Sequence, residues 1–260
     1  MTISESITDQ RAGSLNRAVK LLEVIAAGSR QGSALTELVA KTGLPRPTIH
    51  RVLDMLIAHG WVIRDTTTAR FNLAPGLAAL GYSAICRNPI ERIASTYLNQ
   101  LAGELNQVVY MGMRAGLDMV CIGRYEGPGQ VQAGRGWVGM RGPLGMTPSC
   151  LAIMAHLPNE EVEVIIESNL SRYHRIEGFD ETGFRRALAA TIRDGYSTYD
   201  GIILDRTTSA FGVAICDKAG YPIAAIATTY ITGWLNESQQ EHCLRLLQKT
   251  AKTIAQRATI

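Results

Sequence analysis

The stretch from Thr36 to Arg64, TELVAKTGLPRPTIHRVLDMLIAHGWVIR, leaves the chain few ways to fold locally. Two segments of helical apolar period flank Gly43, a residue suited to a left-handed helix stop. Pro45 and Pro47 place the start of the second helix, because proline is tolerated in a first turn and not beyond it. That helix carries Ile49, Val52, Leu53, Leu56 and Ile57 on one stripe, and Gly60 ends it. Trp61–Arg64 and Arg70–Phe71-Asn72-Leu73 then read as two short strands around the polar turn Asp65–Ala69. Helix, tight turn, helix and two-stranded wing are the parts that put a helix in a DNA major groove with a hairpin beside it.

The buried stripe leaves Pro47, Arg51, Asp54 and Ala58 on the opposite side, with Thr48 and His50 on the flanks. Arg51 has the fork geometry that reads guanine O6 and N7, while Thr48 and His50 can reach phosphates or base edges. Arg46 lies at the helix start, where backbone N–H groups already favour a phosphate, so it positions more than it reads. Arg64, Thr67, Thr68 and Arg70 flank or form the wing and are candidates for phosphate or minor-groove contact. The competing reading of the same face is a solvated surface in a winged-helix protein-interaction module.

Charge supports the first reading once it is divided along the chain. The net charge is +3 over 260 residues. Between 14 and 77, Arg17, Lys20, Arg30, Lys41, Arg46, Arg51, Arg64 and Arg70 stand against Glu23, Glu37, Asp54 and Asp65, an excess of four cations. Residues 78–260 are balanced, so the positive excess belongs to the N-terminal module. The composition, 46% hydrophobic and 19% charged, is that of a globular chain long enough for two domains. No apolar run approaches membrane-spanning length, and the polar start lacks the features of a signal peptide, so no membrane association and a cytoplasmic location are expected. Cys86, Cys121, Cys150, Cys216 and Cys243 are scattered and form no C-x-x-C pair, which argues against disulfides, a metal site or a cofactor and for buried thiols.

Residues 1–13 read as a disordered tail and 14–74 as a winged helix-turn-helix. Ser14 is placed to cap a first helix whose stripe is Leu15, Ala18, Val19, Leu22 and Ile25, with Gly28 at its end. Thr36 is the expected cap of the second helix. The apolar run Gly76–Ile85 reads as a helix linking the two parts across 75–88. The remaining chain, 89–260, opens with a helix bearing Ile90, Ile93, Ala94, Tyr97, Leu98 and Leu101. Strands are expected at Val108–Met113, Met119–Gly123, Ala210–Cys216 and Pro222–Thr229. Helices are expected at Pro148–His156, Asn159–Glu167, Glu181–Asp194 and Glu237–Ala258. This order gives an α+β domain with a mainly antiparallel sheet.

The sequence resembles the IclR family of bacterial transcriptional regulators. The resemblance is carried by Ser14–Leu22, Leu35–Pro45, Thr48–Leu53 and Gly60–Arg64, then by Leu73–Leu77, Gly195-Tyr196 and Asp217–Gly220. Pro47 departs from it, since the family commonly has serine there. The resemblance implies a GAF-like effector-binding domain and a homodimer or tetramer acting on double-stranded DNA at a pseudo-palindromic operator. It also implies a ligand site around Leu144–Ala152, with Asp200, Thr208, Ala210, Ala227 and Thr229 at matching positions. In that site the family's glycine-rich turn becomes Pro148-Ser149, and small polar positions become Ala210 and Ala227.

Physically, Thr147, Ser149, Asp200 and Thr229 would supply hydrogen bonds in a mostly apolar cavity lined by Leu144, Met146, Phe211 and Val213, with Cys150 beside them. A small, partly apolar organic effector, such as a carboxylic acid or an aromatic compound, fits such a cavity. The same hydroxyls can equally act as helix caps. An enzyme using Cys150 is the rival from another class. It would need a base, and His156 and His174, the histidines nearest in sequence, belong to no Cys-His signature.

Overall fold

The computed structural model describes residues 13–29, 31–87, 89–129, 133–134, 136–198 and 207–258. Residues 1–12 of the expected tail at 1–13, as well as Asn88 and Asp200, lie outside the described residues. The chain divides at Arg87/Asn88 into two compact units.

The N-terminal unit contains α1 (Ser14–Ala26), α2 (Leu35–Thr42), α3 (Arg46–Ala58), β1 (Val62–Arg64), β2 (Phe71–Leu73) and α4 (Pro75–Cys86). Its core joins Leu21 and Ile25 of α1, Leu38 of α2, Ile49, Val52, Leu53 and Leu56 of α3, and Val62 and Phe71 of the wing. Several expectations need correction. Leu15 is 73% exposed and Val19 is exposed, while Leu21 is fully buried, so the stripe of α1 is turned from the one expected. Which apolar side of a helix is covered depends on where α2 and α3 pack, and the period alone does not say. Ile57 is exposed for the same reason. Ser14 lies inside α1, with Gly13 at the cap position, and Thr36 lies inside α2. There the Glu37 carboxylate reaches back to the Ala34 N–H at 3.2 Å, so the helix starts two residues early.

The C-terminal unit contains α5 (Pro89–Leu105), β3 (Val108–Ala115), β4 (Asp118–Tyr125), β5 (Arg141–Pro143), α6 (Pro148–Met154), α7 (Asn159–Tyr173), α8 (Glu181–Asp194), β6 (Ser197–Thr198), β7 (Thr208–Cys216), β8 (Pro222–Ile231) and α9 (Glu237–Arg257). Its strands form one antiparallel sheet in the order β5-β4-β3-β8-β7-β6. The β7–β8 hairpin is closed by Asp217, whose carboxylate accepts N–H bonds from Ala219 and Tyr221 at 2.9 Å each. The short edge strands β5 and β6 carry no apolar alternation and are fixed by backbone pairing with β4 and β7.

One face of the sheet, with Val109, Met111, Phe211, Val213, Ile215, Ala224, Ile226 and Tyr230, packs on α5 and α9. The other face meets a cluster from α6, α7 and α8 that includes Leu151, Ile153, Ile165, Ile166, Tyr173 and Phe184. Helix α7 continues past Glu167, where the sequence pattern stops, because its last turns find tertiary partners. Asn169 donates to the Leu117 carbonyl at 2.7 Å, and Arg172 pairs with the buried Asp118 at 2.5 Å, a carboxylate that Arg141 also holds at 2.6 Å.

The corrected stripe of α1 yields a contrast. Leu21→Ala is expected to cost about 2–5 kcal/mol of stability, as for other fully buried leucines. Leu15→Ala should stay within about 0.5 kcal/mol, as for other surface positions. Chemical denaturation followed by circular dichroism checks both.

Candidate functional site

Gly43, at φ +68°, turns the chain between α2 and α3. The Thr42 hydroxyl strengthens the turn by donating to the Leu38 carbonyl at 2.6 Å and accepting from the Leu44 N–H at 3.2 Å. Helix α3 has no side-chain cap and no acid in its first turn. Its first N–H groups therefore remain open to an anion, although Pro47 itself offers none. Arg46, Pro47, His50, Arg51 and Asp54 are exposed along one side of α3, and Thr48 is half-buried at its edge. Arg46 and Arg51 have no ion-pair partner among the described residues.

The wing tip is preorganised by Asp65. Its carboxylate accepts the N–H groups of Thr67 at 2.9 Å and Thr68 at 2.7 Å. The Thr68 N–H bond, foremost, holds that carboxyl below its ordinary range, so the tip keeps its shape around an ionised acid. Thr67 and Thr68 point to solvent, and Arg64 is exposed with its guanidinium carbon 5.7 Å from the centre of the Phe71 ring. Arg70 corrects the sequence expectation. Its guanidinium donates to the Gly32 carbonyl at 2.8 Å and pairs with Glu37 at 3.2 Å, so it ties β2 to the α1–α2 loop and α2. With both groups spent internally, Arg70 is a strut under the wing and not a free cation.

In the C-terminal unit the second sheet face is built from short side chains. Gly112, Ala227 and Ala210 lie on it, and Gly212 brings β7 so close to α6 that a Cβ there would meet the Pro148 carbonyl carbon at 2.5 Å. A cavity of about 220 Å³ remains between this floor, the start of α6 and the chain at Gly134, Gly136, Trp137 and Met140. Thr147, Ser149, Thr208, Ala210, Ala227 and Thr229, all singled out from the sequence, line it. So do Tyr110, Met119, Cys121, Trp137 and Met140, which sequence reasoning missed. Alternation in Val108-Val-Tyr-Met-Gly-Met113 places Tyr110 and Gly112 on one face, but nothing local says which face holds the cavity.

Leu144, Met146, Cys150, Phe211 and Val213 do not line it. The first three are buried in the cluster beneath α6. Phe211 and Val213, odd-numbered where Ala210 is even, point through the opposite face, and Phe211 stacks near Tyr230 at 5.7 Å between centroids. Among the polar groups, Thr147 caps α6, its hydroxyl accepting from the Cys150 N–H at 3.3 Å. Thr229 donates to the Ala133 carbonyl at 2.8 Å.

Cys150 is enclosed, and burial pushes its thiol up. Its sulfur lies 3.6 Å from Met119 Sδ, while the His156 ring, just past the end of α6, bonds the Ala152 carbonyl at 2.9 Å. A thiolate nucleophile needs an electropositive, accessible setting with a base, and this one is apolar and closed.

Family models match both parts of the chain: "IclR helix-turn-helix domain" over residues 14–66, and "Bacterial transcriptional regulator IclR C-terminal" over residues 82–256. The chain belongs to the IclR family. This IclR-family protein is a transcriptional regulator with a helix-turn-helix DNA-binding domain and an antiparallel-sheet C-terminal domain. It is 26% identical over 228 residues to the HTH-type transcriptional regulator KipR of Bacillus subtilis, covering 84% of this chain and 90% of that one. It shares its fold with an IclR transcriptional regulator from Alicyclobacillus acidocaldarius, at TM-score 0.79 and 22% identity over 95% of this chain and 98% of that one. It likewise shares its fold with an IclR homologue from Microbacterium hydrocarbonoxydans solved with 4-hydroxybenzoate, at TM-score 0.73 and 20% identity over 95% and 99% of the two chains.

Two outcomes test these placements. Arg70→Gln and Glu37→Gln are each expected to cost about 0.2–1 kcal/mol of stability, as partly exposed ion pairs do. Neither should change the slope of DNA affinity against salt, whereas removing a phosphate-contacting arginine lowers that slope by about one ion. Cys150 should resist alkylation in the native protein near neutral pH and react only after unfolding, as mass spectrometry can read.

Proposed function

We propose that this regulator binds a pseudo-palindromic duplex operator as a homodimer or tetramer, and that a small, partly apolar organic effector in the C-terminal cavity controls that binding. The observation that carries the effector reading is the 220 Å³ cavity over a floor of glycine and alanine, with hydroxyls at its margin and sulfur and aromatic groups along its walls. Its volume is below the roughly 300 Å³ at which pockets for drug-sized ligands begin, which suits a metabolite. The Microbacterium hydrocarbonoxydans homologue was solved in complex with 4-hydroxybenzoate, which supports an aromatic acid as the class.

In this reading residues 14–74 bind DNA, 75–88 connect, and 89–260 bind the effector and assemble the oligomer. Arg51 reads a base edge from α3, Thr48 and His50 serve the flanks, and Arg46, Arg64, Thr67 and Thr68 hold phosphates. Two-fold symmetry of the protein requires two half-sites. The exposed Val19 of α1 and Leu80 of α4 are apolar surface in the N-terminal unit, which supports coverage by a second subunit. Effector binding shifts the population of arrangements compatible with the operator, and α4 is the covalent path for that coupling. No helix among the described residues is long and apolar enough to cross a membrane, and a regulator of this kind acts where its DNA is, in the cytoplasm.

Binding to duplex fragments from the gene's own upstream region should weaken steeply with salt. Affinity that stays flat with salt and sequence would overturn the operator reading. Arg51→Ala should cost about 1–3 kcal/mol and relax sequence choice, while an equal loss on every sequence would make Arg51 a phosphate contact.

A further inference from the structure

Tyr110 sits in the wall of the cavity with its hydroxyl buried and without a hydrogen-bond partner. Among the described residues the only other buried side-chain nitrogen or oxygen in that condition is Nε of Arg124, its cross-strand neighbour on β4. A buried hydroxyl left unpaired costs about 1–3 kcal/mol, which is why native proteins keep few. The surroundings hold Tyr110 in place without satisfying it. Gly134, at φ +107°, passes over it so closely that a Cβ would lie 2.5 Å from the phenolic oxygen and 2.7 Å from Thr229 Oγ1. A Cβ on Gly136 would lie 2.9 Å from the ring. Only glycine lets the chain pass that close to the phenol. The Arg124 guanidinium carbon lies 5.9 Å from the ring centre, and that cation is paired with Glu126. Thr229 is already turned to the Ala133 carbonyl. Met119, Cys121, Trp137 and Met140 also line the cavity, and none of them hydrogen-bonds the phenol.

We propose that the effector carries a hydrogen-bond-accepting oxygen, as a hydroxyl, carbonyl or carboxylate on a small apolar body, that seats against the Tyr110 hydroxyl, and that Tyr110 selects it. This rests on the cavity being the effector site. A ligand oxygen there restores the bond that folding left unmade, while an oxygen-free analogue of the same shape leaves the phenol unpaired and gains nothing from it. A buried group that must be paired discriminates far more sharply than a hydrophobic wall that merely fits.

Calorimetric titrations of the full chain with 4-hydroxybenzoate and with para-xylene, for the wild type, Tyr110→Phe and Ala227→Leu, test this. Wild type is expected to prefer the oxygenated probe by about tenfold or more. Tyr110→Phe should weaken 4-hydroxybenzoate about tenfold and leave para-xylene within about twofold. The unliganded Tyr110→Phe protein should melt at the same or a higher temperature, because the orphan hydroxyl is gone. Ala227→Leu fills the cavity floor and should abolish both interactions. Unchanged binding of both probes to Tyr110→Phe overturns the role of Tyr110 and leaves the effector site standing. Loss of both probes with a lowered melting temperature makes Tyr110 structural and overturns it too. Binding that survives Ala227→Leu, or no binding of either probe to the wild type, overturns the effector-site reading together with the proposal.

Discussion

A six-stranded sheet has two faces to bury, and this chain fills them unequally. Bulky residues at Val109, Met111, Phe211, Val213 and Ile226 close one face completely against α5 and α9. On the other face Gly112, Ala210, Gly212 and Ala227 stand too short to meet the covering layer everywhere. Gly212 lets α6 approach until backbone nearly touches backbone, which anchors the helix. Close-packed interiors tolerate few voids, so a cavity that survives beside such tight contact reflects the pattern of side-chain size along β3, β7 and β8. The cavity is in this sense a consequence of strand alternation combined with short residues of one parity.

The N-terminal unit solves a different problem with the same economy of contacts. Its core is small, and the wing is a two-stranded hairpin that would be marginal by itself. Arg70, Glu37 and Gly32 lash the hairpin to the helices, the Ser33–Phe71 backbone pair adds to that, and Asp65 fixes the tip. Arg46 and Arg51 on α3 and Arg64 on β1, by contrast, stay exposed beside the turn and the wing. Pairing Arg70 with Glu37 removes one cation and one acid together, so the excess of four along residues 14–77 is unchanged by it.

Much of this organisation was legible in the sequence. The helix-turn-helix follows from Gly43, the prolines at 45 and 47 and the period of Ile49 to Leu56, since each acts within one or two turns of chain. The four long strands and helix α8 (Glu181–Asp194) follow from the same short-range rules. The lining residues Thr147, Ser149, Thr208, Ala210, Ala227 and Thr229 were reached through family resemblance, and the cavity brings them together. Tyr110, Met119, Cys121, Trp137 and Met140 were missed because they come from other strands and from a glycine-rich crossing. Their meeting depends on the sheet order.

By itself the sequence determined the local elements, the positive N-terminal module, the exposed side of α3 and the family to which the chain belongs. These depend on period, turn chemistry and charge, which neighbouring residues settle among themselves. Only the tertiary structure decided that Leu21 and not Leu15 is buried, that Arg70 supports the wing, that Phe211 turns away from the cavity and Tyr110 toward it, and that the Tyr110 hydroxyl is left unpaired. Each of these depends on which distant element covers a given face. That is set by packing between segments far apart in the chain, and no local pattern encodes it.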